Sequence, residues 1–286
     1  MAADSGKYWR LSLGYALAVA ALVFAAHYLG VQGPQFLQAI YAIDPSRLAL
    51  AFLLFTLSLV LNAAAFALAN RAFGVSTAGL RLSGVWLATL LAKYVPVGIG
   101  HILGRGLMLS EFGIAPRTTV IVGVLEQGFS LLICAAIALA ASALMSRADY
   151  AVWIGLAALL GIGVLLSAAW AVRNRIGVRI VPLSASLLGY TFAMAPYAGA
   201  YVLLVEPAST LTFIQALFAG TVAGVLAIMV PGGLGVRESV IASMSSATQA
   251  STVLAGVASA RALILLSECF GTLVGHVLLR RAGAVR

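Results

Sequence analysis

Two short clusters interrupt apolar stretches of the chain: Val95-Pro96-Val97-Gly98-Ile99-Gly100 and Val230-Pro231-Gly232-Gly233-Leu234-Gly235. Proline removes a backbone donor and glycine weakens a helix. In a bilayer each cluster would expose N–H and C=O groups that lipid cannot satisfy, so this backbone must line a cavity or be buried in protein. Helix ends held at that depth present partial charges, positive at an N-terminus, which suit an anionic group. Each cluster is followed by an arginine, Arg105 and Arg237, and each arginine by a carboxylate, Glu111 and Glu238. Thirty residues after each proline comes another ionisable residue, Glu126 in one case and Arg261 in the other. Glu268 follows Arg261 by seven residues and therefore shares its helix face.

These residue types point to recognition of a phosphate. Arginine offers five donors in a planar fork that matches phosphate, while lysine acts as a point charge. The expected substrate-binding set is Lys93, Pro96, Gly98, Gly100, His101 and Arg105 around the first cluster. Around the second it is Pro231, Gly232, Gly233, Gly235, Arg237 and Glu238. The plainer alternatives are a packing kink at each cluster, an interfacial Arg105 whose head reaches water, and a local Arg237–Glu238 ion pair. Glu126, Arg261 and Glu268 lie within apolar segments, where a lone charge costs a few kcal/mol or more. One expectation is that Glu126 and Arg261 meet near a pseudo-two-fold axis and change partners during transport. A second is that Glu126 and Glu268 titrate and couple movement to protons, and a third is that the charges simply hold helices in register. His101 can titrate near neutral pH, but a lone histidine is more often just hydrogen-bonded.

The elements that would hold these residues are membrane helices. Apolar residues make up 63% of the 286 and charged residues 9%, against about 45–50% and 25% in soluble domains. A helix crossing a hydrocarbon core of about 30 Å needs about 20 apolar residues. Stretches at about 10–30, 47–70, 118–145, 150–172, 182–205 and 252–279 meet that need, giving six expected spans. The regions 80–112 and 210–248 are each broken by one of the two clusters and read as broken or re-entrant helix hairpins. Six crossings place the basic residues at 7–10, 71–81, 173–179 and 280–286 on one side, as the excess of cations in cytoplasmic loops requires. The expected fold is therefore an all-α polytopic integral membrane protein, six full spans plus two broken hairpins, in a single transmembrane domain. Its halves, 1–145 and 150–286, would be inverted repeats, the alternative being eight ordinary spans with kinks.

Several function classes are excluded or weakened. The 17 Lys and Arg against 8 Asp and Glu, a formal net charge of +9, are spread over short loops, unlike the clustered basic surface that binds nucleic acid. No Gly-rich loop ends in Gly-Lys-Ser or Gly-Lys-Thr, and no His/Cys/Asp/Glu cluster has metal-ligand spacing. No Gly-x-Ser-x-Gly nucleophile arrangement is present either. Neither a cofactor nor enzymatic activity is expected. Cys134 and Cys269 each lie in an apolar segment and read as packing residues.

At the paired clusters the chain resembles the transmembrane, flippase-like domain of lysylphosphatidylglycerol synthases and their stand-alone relatives. The resemblance is carried by Lys93-Tyr94-Val95-Pro96 with Gly98 and Arg105, by Leu125-Glu126, and by Val230 through Glu238, with Arg261 and Glu268 behind. It runs over most of the chain from about residue 45. It implies a cell-membrane protein of a bacterium or archaeon that moves an aminoacylated phosphatidylglycerol or another envelope lipid between leaflets. The sequence holds no counterpart of the soluble aminoacyl-transferase domain, so the headgroup stays open. Val97 stands where the second cluster has Gly232, and Gln127 follows Glu126 where a basic residue would be expected.

The combined expectation is a lipid translocase for a phosphate-bearing lipid, anionic or polyprenyl-linked. It would sit in the cytoplasmic membrane with both termini in the cytoplasm. The alternatives are a small-solute secondary transporter and an accessory subunit of a lipid-modifying enzyme or glycosyltransferase. The expected partner is the membrane lipid itself, and abundant Gly and Ala permit close packing of a homo-oligomer.

Overall fold

The computed structural model of the chain describes residues 43–94, 100–146, 177–227, 235–244 and 250–281. Among them the secondary structure is helical, with no strand. In chain order the helices are α1 (Pro45–Ala72), α2 (Gly79–Ala88), a 3-10 segment (Leu90–Tyr94), α3 (Gly100–Ser110) and α4 (Pro116–Ser146). They continue as α5 (Ile180–Val205), α6 (Thr210–Leu226), α7 (Val236–Ser243) and α8 (Ala250–Arg281). Four helices, α1, α4, α5 and α8, are long and apolar enough to cross a bilayer, and the chain is a multi-pass membrane protein. They match the expected spans at 47–70, 118–145, 182–205 and 252–279, while those at 10–30 and 150–172 lie outside the described residues.

Local chemistry sets the ends. Asp44 caps α1, accepting from the N–H and hydroxyl of Ser46 at 2.7 and 2.5 Å, with Pro45 at the first helical position. The same two hydrogen bonds, the hydroxyl's first, hold the Asp44 carboxyl below its usual range. The cap is therefore charged at neutral pH and weakens only as pH falls through that lowered value. Pro116 starts α4 in the same manner, just after Gly113 reverses the chain at positive φ.

α1 and α5 run antiparallel. Near one end Arg47 forms an ion pair with Glu206, and at the other the Arg179 N–H donates to the Ala72 carbonyl at 2.8 Å. Between them Ser58 donates to the Ala193 carbonyl and Ser186 to that of Ala65. The hairpin of α2 and α3 enters from the Arg179 end, where Gly79 abuts Arg71, and descends until Leu90 meets Leu59 and Gly271. α3 then climbs back beside α4, with Gly123 against Ile102 and Gly106 against Thr119. The hairpin of α6 and α7 comes from the opposite, Arg47 end: Thr212 reaches Met145 at the end of α4, and Ile241 packs with Val205 and Phe213. α8 spans both, with Gly256 against Val205 at one end and Gly275 against Ala88 and Gly84 at the other. Outward faces of the spans carry exposed Leu53, Val124, Phe192, Leu266 and Leu273, as expected where lipid is the solvent.

Candidate functional site

Between the hairpin tips lies a cavity of about 470 Å³. It meets each long helix in its middle third: Ser58 and Asn62 on α1, Glu126 and Ser130 on α4, Tyr190 and Tyr197 on α5, Arg261 and Glu268 on α8. A cavity at mid-length of four spans sits near the bilayer midplane, where bare charge is most expensive. The structure meets that cost by pairing.

Arg105, 3% exposed, lies between the rings of Phe66 and Trp86 with its guanidinium carbon 5.0 and 5.3 Å from their centroids. It is ion-paired through Nη1 to Glu126, and its Nε donates to Thr89 at 3.3 Å. The second Glu126 oxygen accepts from the Trp86 indole N–H at 2.8 Å. Each oxygen of Glu126 thus has a donor, and the pair is a closed unit holding α2, α3 and α4 together. Lys93, at the tip of the first hairpin, reaches across to Glu268 of α8 at 2.5 Å. Arg261 of α8 meets Glu238 of α7 at 2.8 Å, and the other Glu238 oxygen accepts from the Gly235 N–H at 2.8 Å. Gly235 has φ 82°, a conformation that favours glycine, so the last residue of the second cluster is what lets α7 start there.

Arg237 is different. Its Nη1 donates to the Tyr197 hydroxyl at 2.7 Å, while its buried Nε has no hydrogen-bond partner among the described residues. Among those residues no carboxylate lies within ion-pair distance of it. The Tyr197 ring lies 5.1 Å from that of Tyr201, tilted by 58°, and Phe55 packs edge-on against Tyr201. His101 shares its Nε2 with the Gln127 amide at 3.3 Å on the far wall.

Two expected pairings are corrected. Glu126 and Arg261 do not meet, because the returning limb of the hairpin in its own half reaches each first. Arg105 takes Glu126 and Glu238 takes Arg261. Nor do Arg237 and Glu238 form a local pair, since adjacent residues on a helix point about 100° apart. Arg105, expected to be an open phosphate ligand, already has its charge met. Lys93, His101, Arg105, Glu126, Arg237, Arg261 and Glu268 all line the one cavity. Gly100 begins α3, and Glu111 is exposed at the far end of that helix. Pro96, Gly98, Pro231, Gly232 and Gly233 lie outside the described residues.

Trp86, Thr89 and Tyr197 were not singled out by the sequence reading. The tyrosines had a signal, because Tyr190, Tyr197 and Tyr201 recur at seven and four residues in an apolar span, marking one helix face. No group of three or more His, Cys, Asp or Glu that could hold a metal occurs among the described residues. No family model matches this chain, and no curated protein matches it.

Proposed function

We propose that the chain is a lipid translocase, in which a phosphate-bearing headgroup passes through the central cavity while its hydrocarbon chains stay in the bilayer. The observation that carries this reading is the charged cavity at mid-length of four apolar spans, bounded by two broken hairpins that approach it from opposite ends. Charged groups at such depth mark a substrate path in membrane proteins, and broken helices at the midplane are the usual way transporters build one.

The two halves are read as inverted repeats with six spans in all. Supporting this, the returning limb of each hairpin supplies one partner of an ion pair, and the span that follows supplies the other thirty residues after the proline. The signs are exchanged, Arg105 to Glu126 in one half and Glu238 to Arg261 in the other. The orientation follows the cation bias. Arg71, Arg81, Arg117, Arg179, Arg280 and Arg281 lie at the end of the bundle where the first hairpin enters, whereas Arg47 at the other end is paired with Glu206. The first end is thus assigned to the cytoplasm.

The test is headgroup accessibility in liposomes containing the purified chain and trace labelled lipids. Protein-dependent exchange between leaflets, lost when Arg237 becomes alanine, supports the translocase. If the protein moves no lipid of any headgroup, with or without a proton gradient, the reading is wrong and an accessory role takes its place.

A further inference from the structure

Among the described residues the charges around the cavity do not balance. Four cations face it, Lys93, Arg105, Arg237 and Arg261. Three carboxylates answer them: Glu268 on Lys93, Glu126 on Arg105 and Glu238 on Arg261. Among the described residues the cation with no carboxylate within ion-pair distance is Arg237, whose guanidinium donates to the neutral hydroxyl of Tyr197. The chain has few candidates to make up the difference. Of its eight acidic residues, Asp44, Glu111 and Glu206 sit at the bundle ends, and Asp4 and Asp149 lie outside the described residues. Two stretches outside the described residues, 95–99 and 228–234, contain no ionisable side chain.

We infer that the cavity is matched to a ligand carrying one negative charge, the phosphodiester of a lipid headgroup, with Arg237 and Tyr197 as its receptors. This deepens the translocase reading and rests on it for the lipid origin of the ligand. Arg237 supplies the charge. Tyr197, which accepts from Arg237, keeps its own hydroxyl proton to donate to a phosphate oxygen. A phosphodiester brings the balance to four against four. A phosphomonoester, at roughly −1.5 to −2 near neutral pH, leaves excess negative charge in a low-dielectric space. A zwitterionic headgroup satisfies Arg237 but strands its own ammonium among three closed ion pairs. An aminoacylated phosphatidylglycerol, whose added ammonium groups cancel or reverse the phosphate charge, fits worse still. The charge match thus separates this cavity from the aminoacyl-lipid substrate that the sequence resemblance implies.

The experiment measures binding, not movement. The purified full chain in a neutral detergent is titrated with phosphatidylglycerol, phosphatidic acid, phosphatidylethanolamine and lysyl-phosphatidylglycerol, and with dimethyl phosphate as a chain-free monoanion. The expected result is phosphatidylglycerol bound about tenfold or more tighter than each of the others, a difference of about 1.4 kcal/mol or more. Arg237→Gln should erase the preference over phosphatidylethanolamine. Glu268→Gln should move the preference toward phosphatidic acid, because it leaves a second cation unmatched while Lys93, a third exposed, remains solvated. This second variant keeps the test alive if the first does not fold. Equal binding of phosphatidylglycerol and phosphatidylethanolamine by the wild type overturns the inference, as does tighter binding of phosphatidic acid. Dimethyl phosphate binding as tightly as phosphatidylglycerol overturns the lipid origin. A protein that shows this preference but moves no lipid in liposomes counts against the translocase and leaves the charge match standing. One that moves all headgroups alike does the reverse.

Discussion

Glu238 pairs with Arg261 of α8 at 2.8 Å and not with Arg237, its neighbour in the chain. The start of α7 dictates this. Gly235 adopts positive φ, and Glu238, three residues on, folds back so that one oxygen takes the Gly235 N–H at 2.8 Å and the other faces α8. The carboxylate therefore ties the broken end of the second hairpin to the last span, and Arg237 is turned toward Tyr197 and the cavity. One turn thus separates the carboxylate that ties α7 to α8 from the arginine that faces the cavity.

Glu126→Gln should be among the most destabilising single changes in the chain. It leaves Arg105, 3% exposed, without its counter-charge, and breaking a buried pair costs about 3–5 kcal/mol. Replacing both partners with apolar residues, Arg105→Met with Glu126→Leu, should cost less than Glu126→Gln alone. Thermal unfolding of the three proteins in one detergent checks this. A double variant less stable than the single one would mean that the pair does more than neutralise itself.

Close packing of α8 on the first hairpin rests on Gly275. A Cβ there would fall 2.5 Å from the Ala88 nitrogen and 2.8 Å from the Gly84 carbonyl oxygen, both backbone atoms that cannot turn aside. Gly275→Ala should destabilise by about 1–3 kcal/mol. Gly128→Ala on α4 is the control, since a Cβ at Gly128 meets nothing within 4 Å; it should be neutral or gain a few tenths of a kcal/mol from helix propensity. Equal melting temperatures for the two variants would contradict the packing.

Hydropathy made the four described spans legible to within about two residues, because only a bilayer accommodates long helices this apolar. The Pro/Gly clusters fall between described helices, one between Tyr94 and the start of α3 and the other between Leu226 and the start of α7. Pairing was not legible. The partners of Glu126, Glu238 and Glu268 are Arg105, Arg261 and Lys93, on other elements, and which one arrives depends on how each limb rotates as it packs. Equal spacing after the two prolines suggested that Glu126 and Arg261 face each other. The same equality arises when each is bound by its own hairpin, and spacing cannot tell the two apart. Arg237 belongs to the expected binding set, but spacing does not show that it, and not Arg105, lacks a carboxylate within ion-pair distance among the described residues, because that depends on where Glu126, Glu238 and Glu268 are placed.

Opposite entry of the hairpins makes a topological prediction. Ser110, exposed at the end of α3, and Ser209, exposed at the start of α6, should lie on opposite faces of the membrane. In a chain carrying Cys134→Ala and Cys269→Ala, a membrane-impermeant thiol reagent added outside intact cells should label Ser209→Cys and spare Ser110→Cys. After permeabilisation both should react. Labelling of both from the outside would remove the inverted arrangement of the hairpins and the assignment of the basic end to the cytoplasm.

Tyr197→Phe separates charge from hydrogen bonding at the Arg237 end of the cavity. The variant keeps the Arg237 guanidinium and the ring that packs against Phe55, Tyr201 and Phe218, so fold and net charge should both survive. What it removes is the hydroxyl that accepts from Arg237 at 2.7 Å and can donate onward to a phosphate oxygen. A hydrogen bond to a charged group contributes about 1.5–3 kcal/mol, so phosphatidylglycerol should bind at least about tenfold more weakly. The ranking of headgroups by charge should stay as in the wild type, because that ranking comes from Arg237. If the ranking collapsed along with the affinity, the tyrosine would be holding Arg237 in place and not itself donating to the ligand. If neither changed, the phosphate would bind elsewhere in the cavity.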